Sequence, residues 1–105
     1  MYKEFQKELY NRDVMEFPNG FIVYSAYEDK SAYIHSVYVK ADKRSKGRAT
    51  SYINHLVKKL ELNYLTSYVD LTSKNKDDAL AFQLAYGAKI VGSDGTYITL
   101  YQEIK

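Results

Sequence analysis

The chain of 105 residues contains no cysteine. This excludes a disulfide scaffold, a thiolate nucleophile and a Cys-type zinc site together, and leaves packing alone to hold the core. No apolar run is long enough to cross a bilayer, and Met1 leads directly into charged residues instead of the apolar segment of a signal peptide. A soluble, cytoplasmic protein without membrane attachment is the expectation. Internal repeats and low-complexity segments are absent, and one proline with five glycines makes no linker. Residues 1–105 should therefore form one continuous domain.

Little net charge is present either, only +2, but its distribution is uneven. The stretch 40–59 carries Lys40, Lys43, Arg44, Lys46, Arg48, Lys58 and Lys59 against Asp42 alone, and the remainder is net acidic. A localised positive zone of this kind points to an anionic partner, of which phosphate is the commonest. The apolar fraction of 46% and charged fraction of 27% are ordinary for a globular chain. At this length only a modest core can be buried, which makes a homodimer one expected assembly. Twelve tyrosines are many for the length, and most suit half-buried strand positions.

Periodicity divides the chain into alternating elements. Tyr2, Phe5 and Leu9 recur at helical spacing, predicting a short amphipathic helix that ends near Asn11. Val14 to Phe17 and Phe21 to Tyr27 flank Pro18-Asn19-Gly20, where Asn-Gly tolerates positive φ and favours a hairpin turn. Ala32 to Val39 alternates as a third strand, with Tyr33, His35, Val37 and Val39 expected on one face and Ile34, Ser36 and Tyr38 on the other. Ala49, Tyr52, Ile53, Leu56, Val57 and Leu60 trace one face of a helix over about 47–60. Tyr64 to Leu71 reads as a strand reached through that helix and hence parallel to the third. Asn75 can cap a further helix with Asp77 and Asp78 in its first turn, ending at Gly87. Ala88 to Val91 and Thr96 to Ile104 then flank a second hairpin signal, Gly92-Ser93-Asp94-Gly95.

The chemistry concentrates at Arg44-Ser45-Lys46-Gly47-Arg48-Ala49, between a strand and an amphipathic helix, where free backbone N–H groups and the helix dipole converge. Gly47 lets the backbone approach an anion closely, and Ala49 keeps the first helical turn small. Arg44, Lys46 and Arg48 add charge for outer phosphate oxygens. A solvated basic loop before a surface helix is the plainer reading of the same residues.

Arg-x-x-Gly-x-Ala after a strand ending Val37-Tyr38-Val39 resembles the pyrophosphate motif of the GNAT family of N-acetyltransferases. The order of the following helix, the next strand and a later helix with Ala79, Phe82 and Gly87 resembles that family over about residues 21–104. The resemblance implies a fold of the α/β (α+β) class: a mixed, mostly antiparallel sheet with a central parallel strand pair, joined by a β-α-β crossover and flanked by helices. It implies acetyl-CoA as co-substrate and no metal. It implies that the parallel strands splay apart, Ser36 to Val39 from Tyr68 to Leu71, with the backbone of Val37, Tyr38 and Val39 holding the pantetheine arm in the opening and Arg44, Ser45, Lys46, Gly47, Arg48, Ala49 and Thr50 around the diphosphate.

Departures from the family pattern shape the rest. Gln83 stands where the family often carries a tyrosine as the acid for the thiolate, and Tyr86, three residues on, is the expected substitute. Tyr33 stands where some members carry a glutamate base, and His35, with its near-neutral pKa, is the candidate base, beside the plainer reading of a packed or half-exposed strand histidine. The front of the chain is shorter than usual, so the acceptor site is expected to lack a wall, which a dimer could supply; the amine acceptor itself has no legible motif. Three functions follow as expectations. The first is an acetyl-CoA-dependent N-acetyltransferase acting on a small-molecule or protein amine, and the second a catalytically inactive binding or regulatory protein of the same fold. The third is a nucleic-acid binder using residues 40–59 with Tyr38 and Tyr52 stacking on bases, against which the weak overall charge argues.

Overall fold

A computed structural model describes residues 1–44 and 47–104. Its elements follow the expected order: α1 (Tyr2–Tyr10), β1 (Asp13–Phe17), β2 (Gly20–Ala26), β3 (Ser31–Val39), α2 (Arg48–Leu60), β4 (Tyr64–Asp70), α3 (Lys76–Tyr86), β5 (Lys89–Ser93) and β6 (Tyr97–Glu103). A short 3-10 turn at Ala41–Lys43 leads from β3 towards α2. The strands form one sheet in the order β1-β2-β3-β4-β6-β5, antiparallel throughout except for the β3–β4 pair.

One face of this sheet carries the main core. Ile22, Ala32, Ile34, Val39 and Leu65 pack there against Tyr52, Ile53 and Leu56 of α2, with Phe82 and Tyr86 of α3 alongside. Ile22, Leu56 and Leu100 are almost wholly removed from water, each worth about 1.5–3 kcal/mol of burial. On the opposite face, α1 packs over β1 and β2: Tyr2 meets Phe21 at 5.2 Å, and Val14 and Val23 are buried. Beyond α1 that face stays open, and its β4 and β6 positions present Tyr64, Thr66, Tyr68, Asp70, Tyr97, Thr99 and Tyr101 at alternate residues.

Three local expectations need correction. The first hairpin turns on Pro18 and Asn19, with Gly20 already paired to Phe17 and not at positive φ. Gly20 is required for another reason, since a Cβ there would lie 1.9 Å from the carbonyl oxygen of Tyr38. Asn75 occupies the N-cap of α3 without capping it, because its side chain accepts a hydrogen bond from Ser73. Most consequentially, β3 does not alternate throughout. Val23 pairs with Ser36 and Tyr24 with Ile34, so His35 is an extra residue without a partner on β2. This β-bulge shifts the side chains by one position. Val37 and Val39 therefore join Ile34 on the core face, while Tyr33 stays on the open face beside Tyr68.

Candidate active site

The parallel pairing of β3 and β4 runs from Ser31↔Tyr64 to Ile34↔Ser67 and then stops. Beyond it the outer edges stay occupied, β3 by β2 and β4 by β6. The two strands thus part just where the bulge begins, and the opening is a groove of about 800 Å³. Its walls are His35 to Val39 on one side and Tyr68 to Asp70 on the other, with Gly47 to Thr50 at one end and Phe82 and Gln83 beneath. Because Val37, Val39 and Val69 belong to the core face while Tyr38, Tyr68 and Asp70 belong to the open face, the groove passes through the sheet from one face to the other.

The β3 edge offers its backbone to this groove. Lys40 donates to the Asn19 carbonyl of the neighbouring chain segment, and main-chain groups alternate direction along a strand. Above the bulge, the N–H and C=O groups of Val37 and Val39 therefore point towards β4, where no ladder receives them. Arg44 takes one of these acceptors: its Nε donates to the Val39 carbonyl at 2.8 Å, and its guanidinium lies 5.7 Å from the centre of the Tyr38 ring. Tyr38 in turn stacks on Phe21 at 5.3 Å. A strand carbonyl and an aromatic face together hold this cation at the groove's mouth.

The start of α2 departs from what a helix start ordinarily prefers. Gly47 is its N-cap, at φ 74, exposed and with nothing within 4 Å of where a Cβ would stand. Among the described residues the first backbone amide of the helix with a partner is that of Ser51, to Gly47. No acid stands in the first turn, and Arg48 occupies the first helical position. A cation there opposes the helix dipole by about 0.3–1 kcal/mol. Its Nε is nonetheless buried and lacks a hydrogen-bond partner among the described residues. By contrast α3 carries Asp77 and Asp78 in its first turn, and α2 itself ends on Lys58 and Lys59, both in favour of their dipoles. Lys76 likewise opens α3, but there Asp77 and Asp78 offset it, whereas at α2 Arg48 stands without an acid and lines the groove together with Arg44, an arrangement that suits an anion.

Of the residues singled out from sequence, the groove brings together His35, Val37, Tyr38, Val39, Arg44, Gly47, Arg48, Ala49 and Thr50. Ser45 and Lys46 lie outside the described residues. His35 is bonded through Nε2 to the Ser25 hydroxyl at 2.9 Å, and its Nδ1 is buried without a partner among the described residues. Burial, reinforced by Arg12, holds its pKa below the ordinary histidine value. Tyr86 does not line the groove. Its hydroxyl donates to Asn54 of α2 at 2.5 Å, and burial raises its pKa. Three helical residues carry it about 300° around α3 from Gln83, to the side facing α2. Gln83 keeps the groove position and accepts a hydrogen bond from the buried Ser67 at 3.1 Å. Tyr52 is likewise unavailable for base stacking, being 6% exposed and stacked on Phe17 at 4.0 Å. The side chains of Tyr68 and Asp70 were given no role from sequence beyond their place in the second of two splayed strands, although the strict alternation of β4 sets both on the open face. No cluster of metal-ligating side chains occurs among the described residues, nor does any helix there have the length and apolarity to cross a membrane.

The sequence profile of the acetyltransferase (GNAT) family matches residues 10–92. The chain belongs to the GNAT family. No curated protein matches this GNAT chain by sequence. Solved structures do resemble it. PaiA N-acetyltransferase from Thermoplasma acidophilum, in complex with coenzyme A, is 17% identical with a TM-score of 0.71 over 81% of this chain and 53% of its own. Ard1 from Thermoplasma volcanium is 24% identical with a TM-score of 0.65, over 83% of this chain and 64% of its own. A GNAT family acetyltransferase from Elizabethkingia anophelis with acetyl-CoA bound is 14% identical with a TM-score of 0.69, over 99% and 84%. The chain thus spans roughly half to two thirds of the first two relatives, and at these identities the likeness is one of fold.

Proposed function

We propose that this chain is an acyl-CoA-dependent N-acetyltransferase transferring an acetyl group to an amine. The observation that carries the proposal is the parting of β3 and β4 directly above a glycine-capped helix start flanked by Arg44 and Arg48. A diphosphate fits that start: Gly47 leaves open space, the first-turn amides point outward, and the buried Nε of Arg48 has a donor to give. Coenzyme-bound relatives of the same fold support the reading. The inward-turned N–H and C=O of Val37 and the N–H of Val39 suit the amides of a pantetheine arm, the Val39 carbonyl being held by Arg44.

When bound, the thioester supplies an activated carbonyl carbon. The amine nitrogen attacks that carbon, a C–N bond forms, the C–S bond breaks, one proton leaves the nitrogen for the base, and the sulfur departs as thiolate that takes its proton from solvent. His35 is assigned as the base. Its lowered pKa keeps the ring neutral at pH 7, and the bulge sets it beside the groove. Val37 N–H, turned towards the groove, is assigned to polarise the carbonyl. A dedicated acid is not demanded, because a thiol titrates near 8.5 and leaves readily as thiolate at neutral pH. Tyr86 is left out of this mechanism, since unlike His35 it does not line the groove and its hydroxyl faces Asn54 of α2. Gln83 contributes a hydrogen bond at the groove floor, with its orientation set by Ser67.

Calorimetric titration with acetyl-CoA tests the cradle, repeated with Arg44→Ala/Arg48→Ala. Each charge-assisted contact is worth about 1.5–3 kcal/mol, so the double variant should bind at least about a hundredfold more weakly. Saturable binding followed by thioester consumption with a panel of amines supports the enzyme. Binding without turnover of any amine favours a coenzyme-holding regulatory protein instead, and wild-type affinity in the double variant sinks the proposed cradle.

A further inference from the structure

The open face of the sheet holds a feature that acetyl transfer in general does not require. Tyr33, Tyr68 and Tyr97 form a row across β3, β4 and β6: ring centres are 5.8 Å apart for Tyr33 and Tyr68, and 5.5 Å for Tyr68 and Tyr97. The second pair meets at 86°, so the two rings stand as adjoining walls of a corner. Asp70 follows Tyr68 by two residues on the same face and is the cross-strand partner of Tyr97. Its Oδ1 accepts bonds from the hydroxyl and backbone N–H of Thr72, at 2.6 and 2.9 Å. Those bonds, the hydroxyl's first, keep the carboxyl below its usual pKa and therefore ionised. Among the described residues no cation pairs with it. At the other end, burial and the neighbouring Tyr68 raise the Tyr33 pKa, and the Arg12 charge is felt by both Tyr33 and His35. Asp70 thus leaves the Tyr97 end of the row negative.

Tyr68 and Asp70 also line the groove, so this corner opens directly onto the proposed site of transfer. We propose that the corner of Tyr68 and Tyr97, closed by Asp70, is a cation subsite that holds a second, non-reacting ammonium group of the acceptor. Ring faces attract a cation through their quadrupole, and an adjacent carboxylate adds Coulombic attraction and repels anionic acceptors. A positive charge is required because the negative end of the row has no cation of its own among the described residues, whereas an anionic group would meet Asp70. The acceptor class is therefore an alkyl amine bearing another positive charge, held at Tyr68 and Tyr97 while its reacting nitrogen reaches His35. Assigning the occupant as the acceptor rests on the transferase reading; the cation subsite itself does not.

The test uses a cation that cannot be acetylated on nitrogen and its uncharged isostere. Choline and 3,3-dimethylbutan-1-ol are titrated separately into the full chain, with the tyrosine ring resonances followed by NMR. Choline should shift the Tyr68 and Tyr97 rings saturably, and the alcohol should not at equal concentration. Tyr68→Leu and Asp70→Asn should each weaken choline by about two- to fivefold, the range of a partly exposed cation–aromatic contact, whereas Tyr64→Leu, elsewhere on the same face, should leave it unchanged. Equal responses to choline and the alcohol, no response to either, or unchanged choline affinity in both Tyr68→Leu and Asp70→Asn would each overturn the subsite. Coenzyme A added to the same wild-type sample separates the two readings. Its binding without choline selectivity overturns the subsite alone. Choline selectivity without coenzyme binding upholds the subsite and overturns its occupant being an acetyl acceptor.

Discussion

Replacing Gly47 separates the two things a glycine can do at a helix start. Its φ of 74 is left-handed, a conformation that costs an alanine roughly 1–2 kcal/mol. A Cβ there would meet nothing within 4 Å, so no clash adds to that figure. Gly47→Ala should therefore lower the melting temperature by roughly 4–8 °C per kcal/mol in a domain of this size, and no further. Coenzyme binding should suffer more. A Cβ standing between the first-turn amides and a phosphate displaces at least one charge-assisted hydrogen bond, worth about 1.5–3 kcal/mol, or roughly ten- to a hundredfold in affinity. Gly47→Asn sharpens the comparison, since asparagine tolerates the left-handed region yet still carries a Cβ. Calorimetry of both variants against coenzyme A, beside thermal melts, should show stability largely recovered in the asparagine variant and affinity not. Wild-type affinity in both variants would mean that Gly47 serves the turn alone and that the diphosphate sits elsewhere.

Gly20→Ala should destabilise by about 1–3 kcal/mol in a urea titration, because its Cβ would lie 1.9 Å from a backbone oxygen of β3 that only strand separation can move; a wild-type midpoint would contradict the contact. His35 has a folded pKa below its unfolded value near 6.5, so the unfolded chain binds more protons as pH falls. Its contribution is whole above about 6.5 and is lost as pH drops through that value towards the lower folded pKa. Urea midpoints between pH 7.5 and 5 should accordingly fall more steeply in wild type than in His35→Asn, and parallel curves would remove the assignment. Tyr86→Phe should cost about 1 kcal/mol through the lost bond to Asn54 while leaving turnover per folded molecule within about twofold; a loss of a hundredfold or more would return Tyr86 to the mechanism as the acid.

Most of the fold was legible because its signals were local. Leu56 and Ile53 at helical spacing, Leu65, Ser67 and Val69 at period two, and Gly87 past a helix end each report on their own neighbourhood, and the β-α-β order then leaves little topological choice. The glycine-capped start of α2 was legible for the same reason, since Gly47 and Arg48 take their places from the helix that follows them. Tyr86 was less so. Its relation to Gln83 is a matter of which side of α3 meets α2, and α3 is apolar on too many sides for its sequence to say. Asn75 and Gly20 show the complementary difficulty. Each residue type carries a common local role, and the role taken here is set by Ser73 in one case and by the Tyr38 carbonyl across the sheet in the other.

The bulge at His35 joins these local and non-local parts. Alternation along Ala32 to Val39 gives a period but cannot reveal a slip in it, since Val37 and Val39 satisfy an apolar face on either side of the sheet. The slip is set by β2, whose Val23 and Tyr24 pair with Ser36 and Ile34. Its consequences all fall within a few residues. The valines turn onto the core face, and Tyr33 remains on the open face among the tyrosines. His35 is left without a β2 partner, and the β3–β4 ladder ends at the adjacent Ile34. One extra residue thus accounts for where the sheet opens, which backbone groups turn inward, and why an imidazole stands beside them. Removing that residue should close the ladder towards Asp70 and erase the groove while leaving α1, β1 and β6 in place. Deletion of His35, followed by amide exchange along β3 and β4, should therefore show new protection from Val37 onward together with loss of coenzyme binding. Unchanged exchange with coenzyme affinity retained would mean that the strands part for a reason other than the bulge.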